Sequence, residues 1–134
     1  MTKTAGVIVL MLLAAAGIGE AAAQVVVMAH PESGSYVVVA NQQGARLKAR
    51  ERAQRQHAGG WTELLASTRT GWGRAYCARP KGGPTRYFVV EGKASAKEAD
   101  DAARAAAIAG TRGLPVASCF PGWENRNAHP LDPG

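Results

Sequence analysis

The sequence predicts an α+β fold, in which two pseudo-repeated ββαβ units form one sheet with two alanine-rich helices packed on one face of it. Two observations lead to this prediction. A strand, a loop, a second strand, a helix and a third strand recur in the same order in the two halves of the chain. The helix of the second half also carries a capping sequence and an alanine stripe.

The repeat is visible when "MAHPESGSYVVVA" is set above "CARPKGGPTRYFVV". Farther along the chain, Ala49 matches Ala99, and the sequence offset between these two alanines is nearly the same as the offset between the two segments. Identity between the halves is low and gaps are needed, so the order of elements matters more than single matches. We expect the units to cover residues 24–70 and 71–120 and to fold as one domain.

Each unit contains two β-rich runs joined by a loop rich in proline, glycine and serine, which is typical of a hairpin. A helix and a closing strand follow. The predicted elements of the first unit are 25–29, 36–40, 45–57 and 62–67, and the predicted strands of the second are 73–78, 86–91 and 115–119.

The helix of the second unit is predicted to begin after Ser95. In "SAKE" the Ser95 hydroxyl can accept a hydrogen bond from the amide of Glu98, which is a capping box. Alanines then recur at helical spacing on one face, and Gly110 is the predicted stop. Such a face allows the helix to approach a sheet closely.

Residues 1–23 are predicted to be a signal peptide that is cleaved after Ala23. Lys3 lies in a short polar start, an apolar run follows at 7–18, and Ala21 and Ala23 form a small-residue cleavage site. The apolar run is shorter than the roughly 20 residues that a spanning helix needs. We therefore expect a soluble, secreted or periplasmic protein, and the alternative is an uncleaved membrane anchor.

The two cysteines, Cys77 and Cys119, both fall in the part predicted to be exported. In an oxidising compartment an even pair of cysteines is typical of a disulfide. The alternatives are two free thiols, or one catalytic thiol with a distant histidine.

The formal net charge is +6, and removal of Lys3 and Glu20 with the signal leaves it unchanged. A basic exported protein is attracted to anionic surfaces such as envelope polymers, lipid headgroups or nucleic acid. The alternative is that the charge serves only solubility.

The candidate binding residues are the basic positions of the first helix, the lysine of the second hairpin loop and one tryptophan. They are Arg46, Lys48, Arg50, Arg52, Arg55, Lys81 and Trp123. The helix positions are expected to surround the alanine stripe rather than to share one face, and the alternative is an ordinary solvated surface. The absence of stacking aromatic residues from this helix argues against nucleic acid.

The remaining tryptophans, Trp61 and Trp72, are expected to fill the core. Trp123 is expected to be exposed, because residues 121–134 are rich in proline, asparagine and glycine and are predicted to form an irregular tail.

No catalytic, metal or cofactor site is predicted. The loop "RPKGGPT" leads into a strand rather than a helix, so it is expected to be a hairpin turn and not a phosphate loop. His30, His57 and His129 are scattered and lack the close spacing of metal ligands.

The segments "MAHPESGSYVVVA" and "CARPKGGPTRYFVVEGKASAKEADDAA" resemble a family of small secreted bacterial domains, catalogued as domain of unknown function 4189. The resemblance covers most of the chain after residue 23 and implies no catalytic residues. The sequence departs from the family pattern at His57 and Ala109, where members often carry cysteines.

Together these observations favour a small non-enzymatic domain, secreted or periplasmic, that binds a partner or an anionic envelope component through a basic surface. The alternatives are a small secreted enzyme inhibitor, with "RPKGGPT" as its protruding loop, or an enzyme of unidentified type.

Overall fold

The computed structural model describes residues 23–126. The elements in chain order are β1 (Val25–His30), β2 (Ser35–Val39), α1 (Ala45–Gln56), β3 (Thr62–Ser67), β4 (Gly71–Ala78), β5 (Arg86–Lys93), α2 (Ala96–Thr111) and β6 (Ala117–Asn125). The chain is therefore α+β, as predicted.

The six strands of this described part form two antiparallel sheets of three strands each. The strand order is β2-β1-β3 in the first sheet and β5-β4-β6 in the second. In each sheet the strand that comes first in the chain lies in the centre, paired on both sides.

Alternating side chains of β1 point to two different cores. Val26 and Met28 pack with the buried alanines of α1, whereas Val25 and Val27 pack against the second sheet. The second sheet behaves in the same way, because Tyr76 packs with buried alanines of α2. The layers are thus helix, sheet, sheet and helix.

The prediction of a single sheet with both helices on one face is therefore wrong. A single sheet would leave one apolar face in water, including Val25, Val27 and Val89. Burial of one such side chain stabilises by about 1.5–3 kcal/mol, so pairing the two faces is strongly favoured. Tyr36 and Phe120 meet across this interface, with ring centroids 4.7 Å apart.

Helix α2 begins as the sequence predicts, since the Ser95 hydroxyl accepts from the amide of Glu98 at 3.1 Å. Its end differs from the prediction. The helix continues through Gly110 to Thr111, and Arg112 supplies the left-handed cap. Gly110 instead allows the Phe88 ring to approach, because a Cβ there would lie 2.6 Å from the ring.

The predicted disulfide between Cys77 and Cys119 is present and joins neighbouring strands β4 and β6. Cys119 packs against the cluster between the sheets. The cross-link closes a loop with a sequence separation of 42 and lies within the second sheet.

Strand β6 extends to Asn125, well past the predicted end of the domain at residue 120. Trp123 lies directly opposite Gly73 and is only 6% exposed, so the prediction of an exposed Trp123 is wrong. Because Gly73 has no side chain, the indole packs on its backbone, and a Cβ at that position would lie 2.1 Å from the ring. Residues 127–134 of the predicted tail lie outside the described residues.

The predicted signal peptide also lies outside the described residues, apart from Ala23. Within residues 23–126, no helix has the length and apolar character needed to cross a membrane.

Candidate functional site

Helix α1 presents the candidate basic residues on the outer layer of the first sheet. Ala45, Ala49 and Ala53 are buried against the sheet, which turns the rest of the helix toward solvent. No acidic residue lies in the first turn, and Arg55 lies in the last turn, where a positive charge interacts favourably with the helix dipole.

Arg46 is held by the sheet rather than presented to solvent. Its Nε and Nη2 atoms donate to the two carboxylate oxygens of Glu63 on β3, each at 2.8 Å. The side chain of Arg46 is 19% exposed. This bidentate pair joins α1 to β3, which is a structural role that the sequence did not indicate.

Lys48, Arg52 and Arg55 share one side of the helix, and we call them the basic face. Their spacing of i, i+4 and i+7 confines them to an arc of about 60° on a helix with 3.6 residues per turn. All three are exposed, and Lys48 donates to the Gln42 side chain at 2.9 Å. The five basic positions as a set still do not share one face, because Arg46 and Arg50 lie elsewhere on the helix.

Arg50 lies on the other exposed edge of α1, where it lines a cleft. We call this the Trp61 cleft; its volume is about 240 Å³. Its lining combines an aromatic ring, aliphatic groups and the polar ends of two helix side chains, and consists of Met28, Arg50, Ala53, Gln54, Ala58, Gly59, Gly60 and Trp61.

Trp61 is fixed in place beside this cleft. Its indole N–H donates to the backbone carbonyl of His57 at 2.9 Å, and the His30 ring contacts it edgewise with a centroid distance of 5.2 Å. Trp61 also packs against the core beneath α1. It is half-buried, which agrees in part with its expected role in the core.

His30 and His57 form a polar cluster with two serines, and the sequence reasoning missed it. The two imidazole rings are stacked, with centroids 4.1 Å apart. His30 Nδ1 lies 2.7 Å from the Ser33 hydroxyl, and His57 Nε2 lies 3.2 Å from the Ser35 hydroxyl. The Ser33 backbone N–H donates to His30 Nδ1 at 3.3 Å, and the Ser33 hydroxyl donates to the Ser35 hydroxyl at 2.9 Å.

Topology could have revealed this cluster. His30 ends β1 and His57 caps α1. One antiparallel strand, β2, separates the two elements. Because the chain reverses direction between β1 and β2 and again between β2 and α1, the last residues of β1 and α1 lie at the same end of the first sheet.

Lys81 lies in a loop that is anchored to the turn between β1 and β2. Arg79 donates to the carbonyl of Glu32 at 2.8 Å and to the Thr85 hydroxyl at 2.8 Å. The Thr85 N–H donates to the carbonyl of Pro31 at 3.0 Å. Lys81 itself is exposed, while its loop bridges the two sheets at one end of the molecule.

A separate charged network surrounds Asp100 on α2. The Tyr76 hydroxyl donates to this carboxylate at 2.7 Å, and Arg104 donates to it at 3.1 Å. Arg74 lies 3.2 Å away. The Tyr76 hydrogen bond, followed by the charges of Arg104 and Arg74, lowers the pKa of Asp100 below its ordinary value of 3.8.

Burial, by contrast, raises the pKa of the Tyr87 hydroxyl, although the charge of Arg79 opposes this effect. This hydroxyl faces the carbonyl of Ser35 at 3.4 Å, a further contact between the two hairpins. Within residues 23–126, no group of three or more His, Cys, Asp or Glu side chains is arranged to hold a metal ion.

The chain matches no protein-family model, no curated protein and no solved structure.

Proposed function

We propose that this chain is a non-enzymatic, exported binding domain that recognises an anionic envelope polymer through the basic face of α1. The observation that carries this proposal is the placement of Lys48, Arg52 and Arg55 on one exposed side of a single helix. Three cations in one row give a directional attraction to a chain of repeated negative charges, whereas scattered cations do not.

Export is supported by two features. The disulfide between Cys77 and Cys119 is typical of an oxidising compartment outside the cytosol. The basic start, apolar run and small residues of the first 23 positions have the order of a signal peptide.

The proposal also includes a duplicated ββαβ unit, with the first copy specialised for binding. The support is that both sheets have the same strand order and both helices follow the second strand of their unit. The repeat match of Ala49 with Ala99 places Arg50 where the second unit has Asp100. The equivalent surface of α2 thus carries a carboxylate, so the two copies differ in charge. A resemblance to the domain of unknown function 4189 concerns the same two hairpins and names no ligand.

The test is retention of the exported protein on an immobilised polyanion, measured across salt concentration. The test variant carries Lys48→Gln, Arg52→Gln and Arg55→Gln. A control variant with Lys97→Gln, Arg86→Gln and Arg112→Gln undergoes the same charge change at exposed positions outside α1.

We expect retention to fall as salt rises, because salt screens exposed charges. At low salt, the basic-face variant should bind about tenfold more weakly or worse, since each lost ion pair is worth up to about 1 kcal/mol. The control variant should bind like the wild type. Equal losses in the two variants would mean that net charge alone determines retention, and the proposal would fail.

A serine hydrolase is the second candidate, and one observation favours it. The exposed Ser33 hydroxyl lies 2.7 Å from His30 Nδ1, within the hydrogen-bond reach that a histidine needs to activate a serine nucleophile. A fluorophosphonate probe tests it directly. Labelling at Ser33 that disappears in His30→Asn would support catalysis, and a protein that stays unlabelled would refute it.

A further inference from the structure

We propose that the Trp61 cleft binds one acidic sugar residue, so that the polymer recognised by α1 is an anionic polysaccharide. This inference rests on the proposed function and adds the chemical class of the ligand. It is carried by the juxtaposition of the Trp61 ring with Arg50 and Gln54 on α1.

The size of the cleft suits a single ring. Its volume of about 240 Å³ is smaller than the roughly 300–1,000 Å³ of pockets that enclose a whole small-molecule ligand. An open cleft of this size fits one unit of a longer chain whose neighbouring units lie on the surface outside it.

The lining has two chemically different sides. Met28, Ala53 and Trp61 supply apolar surface, and Arg50 and Gln54 supply polar groups one helical turn apart. The C–H groups on one face of a pyranose ring are attracted to the electron-rich face of an indole. A guanidinium binds a carboxylate through two parallel hydrogen bonds, and an amide can both donate to and accept from hydroxyl groups.

The cleft is formed before any ligand binds. Trp61 is held by its hydrogen bond to the His57 carbonyl and by the edge of His30. Gly60 adopts a φ of +86° beside the same histidine, and a Cβ there would lie 2.7 Å from His30 Nε2. Because the rim is fixed, little conformational entropy is lost when a sugar binds.

The cleft and the basic face lie on two exposed edges of one helix. An α-helix is about 10–12 Å across with its side chains, so an oligosaccharide of a few units can cross α1 and contact both edges. One acidic unit would occupy the cleft, and the charges of the following units would face Lys48, Arg52 and Arg55.

A polysaccharide fits these observations better than a single-stranded nucleic acid does. Nucleic acids bind through successive bases that stack on several aromatic side chains. Trp61 is the aromatic residue among those that line this cleft. The disulfide also favours an oxidising compartment outside the cytosol, where intracellular nucleic acids are not the expected ligands.

The experiment compares four probes: polygalacturonate, polyglutamate, neutral dextran and a single-stranded oligonucleotide. The binding constant of each is measured for the full exported chain. The cleft variants are Arg50→Gln and Trp61→Phe, and Trp72→Phe is the matched control for the loss of an indole. Thermal unfolding of each variant establishes that it is folded.

We expect wild-type protein to bind polygalacturonate more tightly than polyglutamate and to bind dextran weakly. Arg50→Gln should weaken polygalacturonate binding by about tenfold, because a charge-assisted hydrogen bond is lost. Trp61→Phe should weaken it too and should abolish the change in tryptophan fluorescence that polygalacturonate causes. Neither variant should lose more than about twofold for polyglutamate, and Trp72→Phe should match the wild type.

Equal affinity for polygalacturonate and polyglutamate, with no effect of the cleft variants, would overturn this inference while leaving the proposed function intact. Tighter binding of the oligonucleotide would overturn it as well. Conversely, if the cleft variants lose polygalacturonate binding but the basic-face variant does not, the proposed role of the basic face fails and the cleft assignment stands.

Discussion

Removal of the cross-link between Cys77 and Cys119 is expected to lower the free energy of unfolding by about 4 kcal/mol. The separation of 42 residues gives this value at 25 °C in the chain-entropy relation for loop closure. For a domain of about 100 residues, this loss corresponds to a fall of about 15–30 °C in the unfolding midpoint. The effect is large because a domain of this size has only about 5–15 kcal/mol of net stability.

The assay is chemical unfolding of three samples: oxidised wild type, reduced wild type, and the double variant Cys77→Ala and Cys119→Ala. Reduced wild type retains both sulfur atoms, so it separates the cross-link from the packing of the side chains. Both altered samples should unfold at lower denaturant concentration. A loss below about 1 kcal/mol in reduced wild type would refute the reasoning, because the cross-link would then contribute little.

Three further predictions concern individual contacts. Gly73→Ala should lower the free energy of unfolding, measured with denaturant, by about 1–3 kcal/mol, because the new methyl group displaces Trp123. The control Gly59→Ala has open space around the new methyl group and should change the free energy of unfolding by no more than about 0.5 kcal/mol. Equal effects of the two variants would contradict this packing. Asp100→Asn should reduce the loss of stability that wild type shows as pH falls below 3.8. A carboxylate with a lowered pKa stabilises the fold above its unfolded pKa, and this contribution is lost in acid. Parallel profiles of stability against pH for the two proteins would disprove this role of Asp100. Ser95→Ala should cost about 1 kcal/mol by removing the cap of α2, and an unchanged midpoint in thermal unfolding would count against the cap.

Local features of the fold could be predicted because their causes lie within a few residues. The capping sequence at Ser95 and the alanine stripe of α1 each depend on neighbours within two helical turns. The third strand is found at Thr62–Ser67, as the sequence indicated. The cysteine pairing was also accessible, because a chain with two cysteines allows only one internal disulfide.

The arrangement of the layers could not be predicted in the same way. It depends on what covers the inner face of each sheet, and that partner is remote in sequence. One signal was present, since β1 reads "VVVMA" and is apolar on both faces. A strand with two apolar faces must be covered on both sides, which a single sheet with helices on one face cannot provide.

The error at Trp123 has a similar cause. Proline and glycine in "PGWEN" are typical of an irregular tail, yet the segment pairs with β4 through Asn125. The sequence does not show which strand pairs with β6. Gly73 leaves space for the indole of Trp123 only because strand pairing places the two residues directly opposite each other. The basic face was accessible from spacing alone, whereas the ion pair of Arg46 with Glu63 required the register of β3.

A chemical-shift titration of the ¹⁵N-labelled chain with oligogalacturonate at low salt tests directly whether α1 is the binding surface. We expect the largest changes in α1, at the amides of residues 47–56, and at the indole N–H of Trp61. These changes should disappear as salt rises. Changes centred on the loop at residues 79–85, or spread evenly over both sheets, would contradict the assignment of α1 as the binding surface.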